Sequence, residues 1–278
     1  MKVALVAIAK DEAKSLPEWI AHHLYLGFDD IIVYDNESTD NSEKILEKLG
    51  EALPVTRNPW NNREIRSPQL TAYNHFRLLH ASQYDWVAFF DLDEFLVVRN
   101  GASLKTVLSQ YPDSVAAVGV NWLTLGSSGQ AGSDYERVTE TFRWGPKRSF
   151  RNNAHIKTIM RPPKVKRVDI HHCDVISGDY IHPNGEPLEF PSKPGITQKI
   201  EHSVLQLNHY QVKSLEEFEA KIKKGLATRR ADDPKRVRER PRVLLEKLDR
   251  QEEFYNDVDA SLFESDVFKK VASLLSDI

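Results

Sequence analysis

The stretch Val87-Ala88-Phe89-Phe90-Asp91-Leu92-Asp93-Glu94-Phe95-Leu96 decides the fold. Val87 to Phe90 form an unbroken apolar run, the pattern of a strand covered on both faces in a parallel sheet; a half-exposed strand would alternate. Asp91, Asp93 and Glu94 fall where that strand leaves the sheet. In an extended segment Asp91 and Asp93 project to one side and Glu94 to the other, so two carboxylates can converge on one hard cation. Paired acids in a loop also serve solubility or helix capping, and Asp-x-Asp alone is common. Position favours the metal, because ligands of open α/β sheets bind beyond the carboxyl ends of the strands. Such oxygens suit Mg2+ or Mn2+.

The chain has 278 residues, 40% hydrophobic and 28% charged, with a formal net charge of -3. That describes an ordinary globular α/β protein with room for an appended helical piece, and it carries no nucleic-acid signature. A single cysteine, Cys173, excludes an intramolecular disulfide. The apolar part of Met1 to Ala9 is short and runs at once into Lys10, Asp11 and Glu12. It lacks the small-residue cleavage site of a leader and the roughly 20 apolar residues of a membrane span. The sequence therefore predicts a cytoplasmic protein.

Working outward, strands are predicted at residues 3–9, 31–34, 55–57 and 87–90, and helices at 16–25, 41–49 and 69–81. Pro17 opens the first helix and Gly27 ends it; Asp40 suits an N-cap for the second. Regular βα alternation with short connections predicts a Rossmann-like, mostly parallel sheet flanked by helices. Asp11 and Glu12, then Asp35, Asn36 and Ser38, then Asp91 and Asp93 follow three of its strands and gather on one rim. Acceptors for a base and ribose beside paired acids are what a nucleotide-diphosphate ligand requires. Neither Gly-x-Gly-x-x-Gly nor Gly-x-x-x-x-Gly-Lys-Ser/Thr occurs, which removes dinucleotide oxidoreductases and P-loop NTPases.

Lys10-Asp11-Glu12, Glu18-Trp19-Ile20, His22-His23, Gly27-Phe28-Asp29, Tyr34-Asp35-Asn36 and Asp91-Leu92-Asp93-Glu94-Phe95-Leu96 resemble the GT-A glycosyltransferases of the family 2-like group, related to the DUF23 or family 92 branch. The likeness continues through Trp122 with Gly126-Ser127-Ser128-Gly129, and through Asn208-His209-Tyr210, Lys213-Ser214 and Glu216-Glu217-Phe218. It implies a nucleotide-sugar donor, Mn2+ or Mg2+ at the Asp-x-Asp, and transfer of a sugar to an acceptor. On that pattern Asp35 meets the base, Glu12 and the backbone at Ala9 line the nucleotide pocket, and Gln69 and Asn74 face the same cleft. Asp93 meets the metal, Asp91 the metal or the ribose, and Glu94 either supports the metal or secures the loop.

The later chain supplies weaker signals. Trp122 offers a stacking surface for an acceptor sugar, and Ser127 lies in a small-residue loop that lets backbone approach a ligand. Asp134, Glu136 and Glu140 are candidates for the carboxylate base of an inverting transfer. Residues 143–170 are basic and read as a solvated face with one or two groups for the departing diphosphate. His209, and after it His172, are the histidines placed to complete a metal shell. Residues 183–194 read as a long loop able to close over the donor. The chain divides into a GT-A domain at 1–212, with a nucleotide-sugar half at about 1–100 and an acceptor half at about 101–212, and a helical, basic extension at 213–278. Basic residues at 221–242 suit peripheral contact with anionic lipid at the inner face of the membrane, where a lipid-linked acceptor would sit, or a plain solvated face. The sequence thus predicts a metal-dependent glycosyltransferase acting on a glycan or lipid-linked acceptor. The alternatives are a nucleotidyltransferase, or a degenerate carbohydrate-binding or scaffold protein.

Overall fold

β1 (Val3–Ala9) is apolar at every position and almost wholly buried, as a strand sandwiched between helical layers must be. The computed structural model describes residues 1–61, 67–99, 101–224 and 241–278. After β1 come α1 (Leu16–Leu26), β2 (Asp30–Asp35), α2 (Ser42–Gly50), β3 (Val55–Pro59), α3 (Pro68–Leu79), β4 (Trp86–Phe89), β5 (Glu94–Val98), α4 (Leu104–Ser109) and β6 (Val115–Thr124). The chain continues through α5 (Val138–Thr141), β7 (Trp144–Gly145), β8 (Ile156–Met160), β9 (Val165–Val168), β10 (Cys173–Val175), β11 (Asp179–Ile181) and β12 (Leu205–His209). It ends with α6 (Leu215–Lys224), α7 (Pro241–Leu248), β13 (Glu253–Phe254) and α8 (Asp266–Leu274).

The main sheet has the order β3-β2-β1-β4-β8-β6-β12-β5, with β11 also on β6. β3, β2, β1 and β4 are parallel, and the strand order reverses at β1, which lies between β2 and β4. This reversal opens a crevice beyond the carboxyl ends of β1 and β4, the place where α/β sheets take ligands. The expected α/β class, a mostly parallel sheet flanked by helices, is therefore the one found. Two features were not foreseen. β8 enters antiparallel between β4 and β6, so the middle of the segment taken for a basic solvated face is a central strand. β6 runs from Val115 through Thr124, where the sequence predicts a strand at 115–120 only.

β5 closes one edge of the sheet, paired on one side with β12. Its outer backbone groups are met by side chains of α1 rather than by water, which solves the edge-strand problem. Trp19 Nε1 donates to Glu94 O at 2.8 Å, and Leu96 N donates to His23 Nε2 at 3.3 Å. His22 Nε2 lies 2.7 Å from Leu96 O. Glu18, also buried, receives Val138 N, Thr139 N and Thr139 Oγ1 and so caps α5. The Glu18, Trp19, His22 and His23 positions of the recognised motif thus hold the edge strand and its neighbour in place.

The segment after α6 folds back onto the body. Tyr25 Oη donates to Asp259 Oδ2, the Arg137 guanidinium lies 4.2 Å from the Phe263 ring centre, and α8 packs on α1. The segment 183–194 is held along β11: Leu188 N donates to Tyr180 O at 3.0 Å, and Tyr111 Oη donates to Pro183 O at 2.6 Å. Of the basic stretch at 221–242, residues 225–240 lie outside the described residues. Among the described residues no helix is long and apolar enough to cross a membrane.

Burial pushes the His22 imidazole down to about 4 and His23 well below its ordinary value. Protons therefore bind the unfolded chain first, so the stability these rings contribute is intact above pH ~6.5 and is lost as pH falls toward 4. We expect urea unfolding to show a loss of about 2 kcal/mol from His22 alone between pH 7 and pH 5. A smaller loss is expected in His22→Gln, and a flat profile in the parent would contradict the assignment. Gly178 has φ 95°, and a Cβ there would lie 2.2 Å from Ser114 O, a backbone atom that cannot yield. Gly178→Ala should cost more than ~2 kcal/mol, whereas Gly185→Ala, at φ 89° in open space, should cost about 1 kcal/mol in the same measurement.

Candidate active site

Asp91 and Asp93 do not extend side by side. Glu94 N donates to Asp91 O at 3.0 Å, closing a turn that sends the carboxylates to different partners. Asp91 Oδ1 accepts from Gln69 Nε2 at 2.6 Å and from Tyr73 Oη at 3.2 Å, and Oδ2 lies 2.9 Å from Lys157 Nζ. Asp93 Oδ2 is 2.5 Å from Lys221 Nζ, and Oδ1 is 3.6 Å from His209 Nε2. Burial opposes charge on Asp93, yet Lys221 and then His209 hold its carboxyl well below the usual range.

Glu94 is fully buried and secures the loop. Its Oε2 accepts from Asp91 N at 2.8 Å and its Oε1 accepts from Trp122 Nε1 at 2.7 Å. Burial pushes it well above the carboxylate range. Lys157 has no exposed side-chain surface and sits between Asp91 and Glu94, 3.6 Å from the latter. Burial works against its charge, but the two acids outweigh it and the ammonium is held above its ordinary value.

Three imidazole rings crowd the Trp122 indole. His155 stacks on it at 4.9 Å between ring centres, His209 lies at 4.1 Å and His171 meets it edge-on at 5.3 Å. Burial, then Lys157, pushes His171 down to about 3. Trp122 is only 7% exposed and Ser127 1%, so neither offers a surface to an acceptor. Ser127 instead gives its amide and hydroxyl to the two oxygens of Asp249, at 2.7 and 3.0 Å. The small residues serve this docking: a Cβ on Gly126 would lie 2.7 Å from Asp249 Oδ1.

Beside Asp93 opens a cleft of about 570 Å3, bordered by Glu12, Tyr210, Lys213, Glu217 and Lys221. Lys213 reaches it from a left-handed backbone at φ 53°; its ammonium donates to Ser15 Oγ and lies 3.8 Å from Glu12 Oε2. A lysine held in that conformation marks a strained position of the kind found in functional sites. Asp35, at the end of β2, accepts from Ser38 N at 3.1 Å and pairs with Arg57 Nε at 2.9 Å. The carbonyl of Ala9 accepts from Asn36 N, tying the ends of β1 and β2 together.

The remaining candidates are dispersed. Asn74 exchanges hydrogen bonds with the backbone of Val168, at 2.7 and 3.1 Å, and so holds β9 rather than facing the crevice. Asp134, Glu136 and Glu140 are exposed; Asp134 accepts from Gln130 and Glu140 pairs with Arg137. His172 lies 3.7 Å from Asp174, on a separate two-stranded ribbon. Lys157, Lys221 and Arg57 were missed as site residues. The lysine within Ile156-Lys157-Thr158-Ile159-Met160 is the one trace of this in the sequence, but its burial, and so its need for an acid, is set by the fold.

One place in the site carries donors of the kind a cation needs. Among the described residues no three histidine, cysteine or carboxylate groups converge as a metal cluster. Asp93 Oδ1 and His209 Nε2, however, are too far apart for a hydrogen bond. Their separation is close to the ~3 Å between neighbouring ligands of a cation bound at ~2.1 Å. His209 Nδ1 is buried without a partner in that group of residues, so packing on Trp122 orients the ring. A carboxylate and an imidazole at the cleft fit a divalent ion that would take the place of the Lys221 ammonium on Asp93 and complete its shell with ligand oxygens.

Residues 4–248 match the model of glycosyltransferase family 92. A family 92 protein of Ricinus communis is 24% identical over 229 residues, covering 78% of this chain and 36% of its own length. One of Arabidopsis thaliana is 26% identical over 230 residues, with the same coverage of 78% and 36%. The chain therefore spans little more than a third of these relatives. Among solved structures, S. aureus TarS 1–349 superposes with a TM-score of 0.38 at 16% identity, covering 58% of this chain and 47% of that one. The mannosyltransferase PcManGT from Pyrobaculum calidifontis gives 0.35 at 17% identity over 43% and 35%. Likenesses this loose carry no weight; the family match does, and by it the chain belongs to glycosyltransferase family 92.

Proposed function

We propose that this chain transfers a sugar from a nucleotide diphosphate to a hydroxyl of a glycan or lipid-linked acceptor, by one direct displacement with inversion. The observation that carries the reading is the pairing of Asp93 with His209 at the mouth of a cleft bordered by Lys213 and Lys221, beyond the carboxyl ends of β1 and β4. Asp93 and His209 would hold Mn2+ or Mg2+, which supplies positive charge against the diphosphate as it departs.

The chain's own groups do the rest. Lys213 and Lys221 place two ammonium groups on the cleft wall, where a leaving diphosphate needs compensation. Asp91, 31% exposed, has both lone-pair positions of Oδ1 taken, and its Oδ2 retains room for one hydroxyl of the donor beside Lys157. The carboxylates of Glu12 and Glu217 border the same cleft, and one of them receives the acceptor proton as the acceptor oxygen attacks the anomeric carbon. These two replace Asp134, Glu136 and Glu140 as the candidates for the base.

Thermal-shift measurements with nucleotide diphosphates and nucleotide sugars, with and without Mn2+, test the reading. At least one nucleotide should raise Tm by several degrees only when Mn2+ is present, and Asp93→Ala should abolish that response. It should also reduce sugar transfer by more than about 100-fold, the scale of removing a group that compensates transition-state charge. No stabilisation by any nucleotide, or an unaltered response in Asp93→Ala, would contradict it.

A further inference from the structure

The two acids of the Asp-Leu-Asp turn are neutralised in opposite ways. Asp93 is met by Lys221, whose side chain is 41% exposed and enters from the cleft side. Asp91 is met from beneath by Lys157, which has no exposed surface and is enclosed by Asp91, Glu94, Tyr73 and His171. An exposed lysine can be displaced by an incoming cation. A lysine sealed into a central strand cannot move away, because doing so would leave a buried ammonium without an acid.

A divalent ion placed on Asp91 would therefore share that carboxylate with a fixed ammonium that is itself sealed from water. A hydroxyl donor placed there meets no such repulsion and is favoured by the negative oxygen. Gln69 and Tyr73 reinforce the difference by filling Asp91 Oδ1, so the carboxylate cannot turn to offer two oxygens to a metal. Glu94 adds a backbone clamp, since its Oε2 accepts from Asp91 N.

We propose that Lys157 is a positioning residue that withholds Asp91 from the metal, leaving Asp93 and His209 as the protein's cation ligands and reserving Asp91 for a hydroxyl of the donor. This rests on the reading above that the cleft binds a divalent ion and a nucleotide sugar. It makes the buried lysine a device for dividing labour between two otherwise equivalent acids.

The test is Mn2+ binding itself, read from the electron paramagnetic resonance of free Mn2+ with the full chain and no nucleotide. Lys157→Met should bind Mn2+ at least tenfold more tightly than the parent, because Asp91 is released. Lys157→Met/Asp91→Asn should return to the parent affinity, and circular dichroism of each variant establishes that it is folded. Asp91→Asn alone should leave Mn2+ affinity within twofold. A Lys157→Met that is folded but binds Mn2+ no more tightly than the parent overturns the proposal, and so does a tenfold loss in Asp91→Asn. Those results leave the metal-dependent reading intact. Absence of Mn2+ binding in both the parent and Lys157→Met overturns the two together.

Discussion

A single buried ammonium organises the centre of this protein. Lys157 projects from β8 into the space below the Asp91–Glu94 turn, where it is paired with one acid at 2.9 Å and faces a second at 3.6 Å. Removing two or three ionisable groups from water is costly, and such clusters persist only when every member is satisfied by the others. Here the ammonium is held by charge alone, without a well-aligned hydrogen bond, while the two carboxyls are hydrogen-bonded. Gln69 and Tyr73 donate to Asp91 Oδ1, and the amide of Asp91 and the indole of Trp122 donate to the two oxygens of Glu94. The cluster therefore specifies one arrangement of α3, β4, β5, β6 and β8, the elements that carry its members.

From that cluster the constraint spreads outward. Glu94 fixes Trp122, and Trp122 packs against His209, which sets the imbalance between the two aspartates. On the far side, β5 carries Glu94 at its first position, and α1 holds β5 through Trp19, His22 and His23. Residues that look like candidate ligands by type, including two adjacent histidines and a buried glutamate in α1, are thus fasteners of the strand that delivers the acids. The loop at 126–129 has a comparable role: its small residues receive Asp249 and bind the returning C-terminal segment to the end of β6.

Much of the framework could be read from residue patterns. The apolar runs of β1, β2 and β4, the helix ends at Pro17 and Gly27, and the acids after three strands are local properties, set by propensity, burial period and turn chemistry. The motifs from Lys10 to Glu217 pointed to the family that the chain belongs to. β8 was less legible because its five residues combine a lysine and a threonine with three apolar positions, in a stretch dominated by basic residues. Periodicity cannot separate a buried strand with one compensated charge from a solvated face, since the compensation comes from elsewhere in the chain.

Sequence by itself determined the class of the fold, the edge of the sheet where the acids gather, and the family. Only the tertiary structure decided what surrounds each acid there. Asp91 and Asp93 are two residues apart and chemically identical, so nothing local distinguishes them. They differ because a strand inserted antiparallel beside β4 puts a fully buried cation under one, while the other faces a cleft, an imidazole and a half-exposed lysine. Electrostatic energy depends on distance through space and on solvent access, and both are fixed only once the sheet has closed.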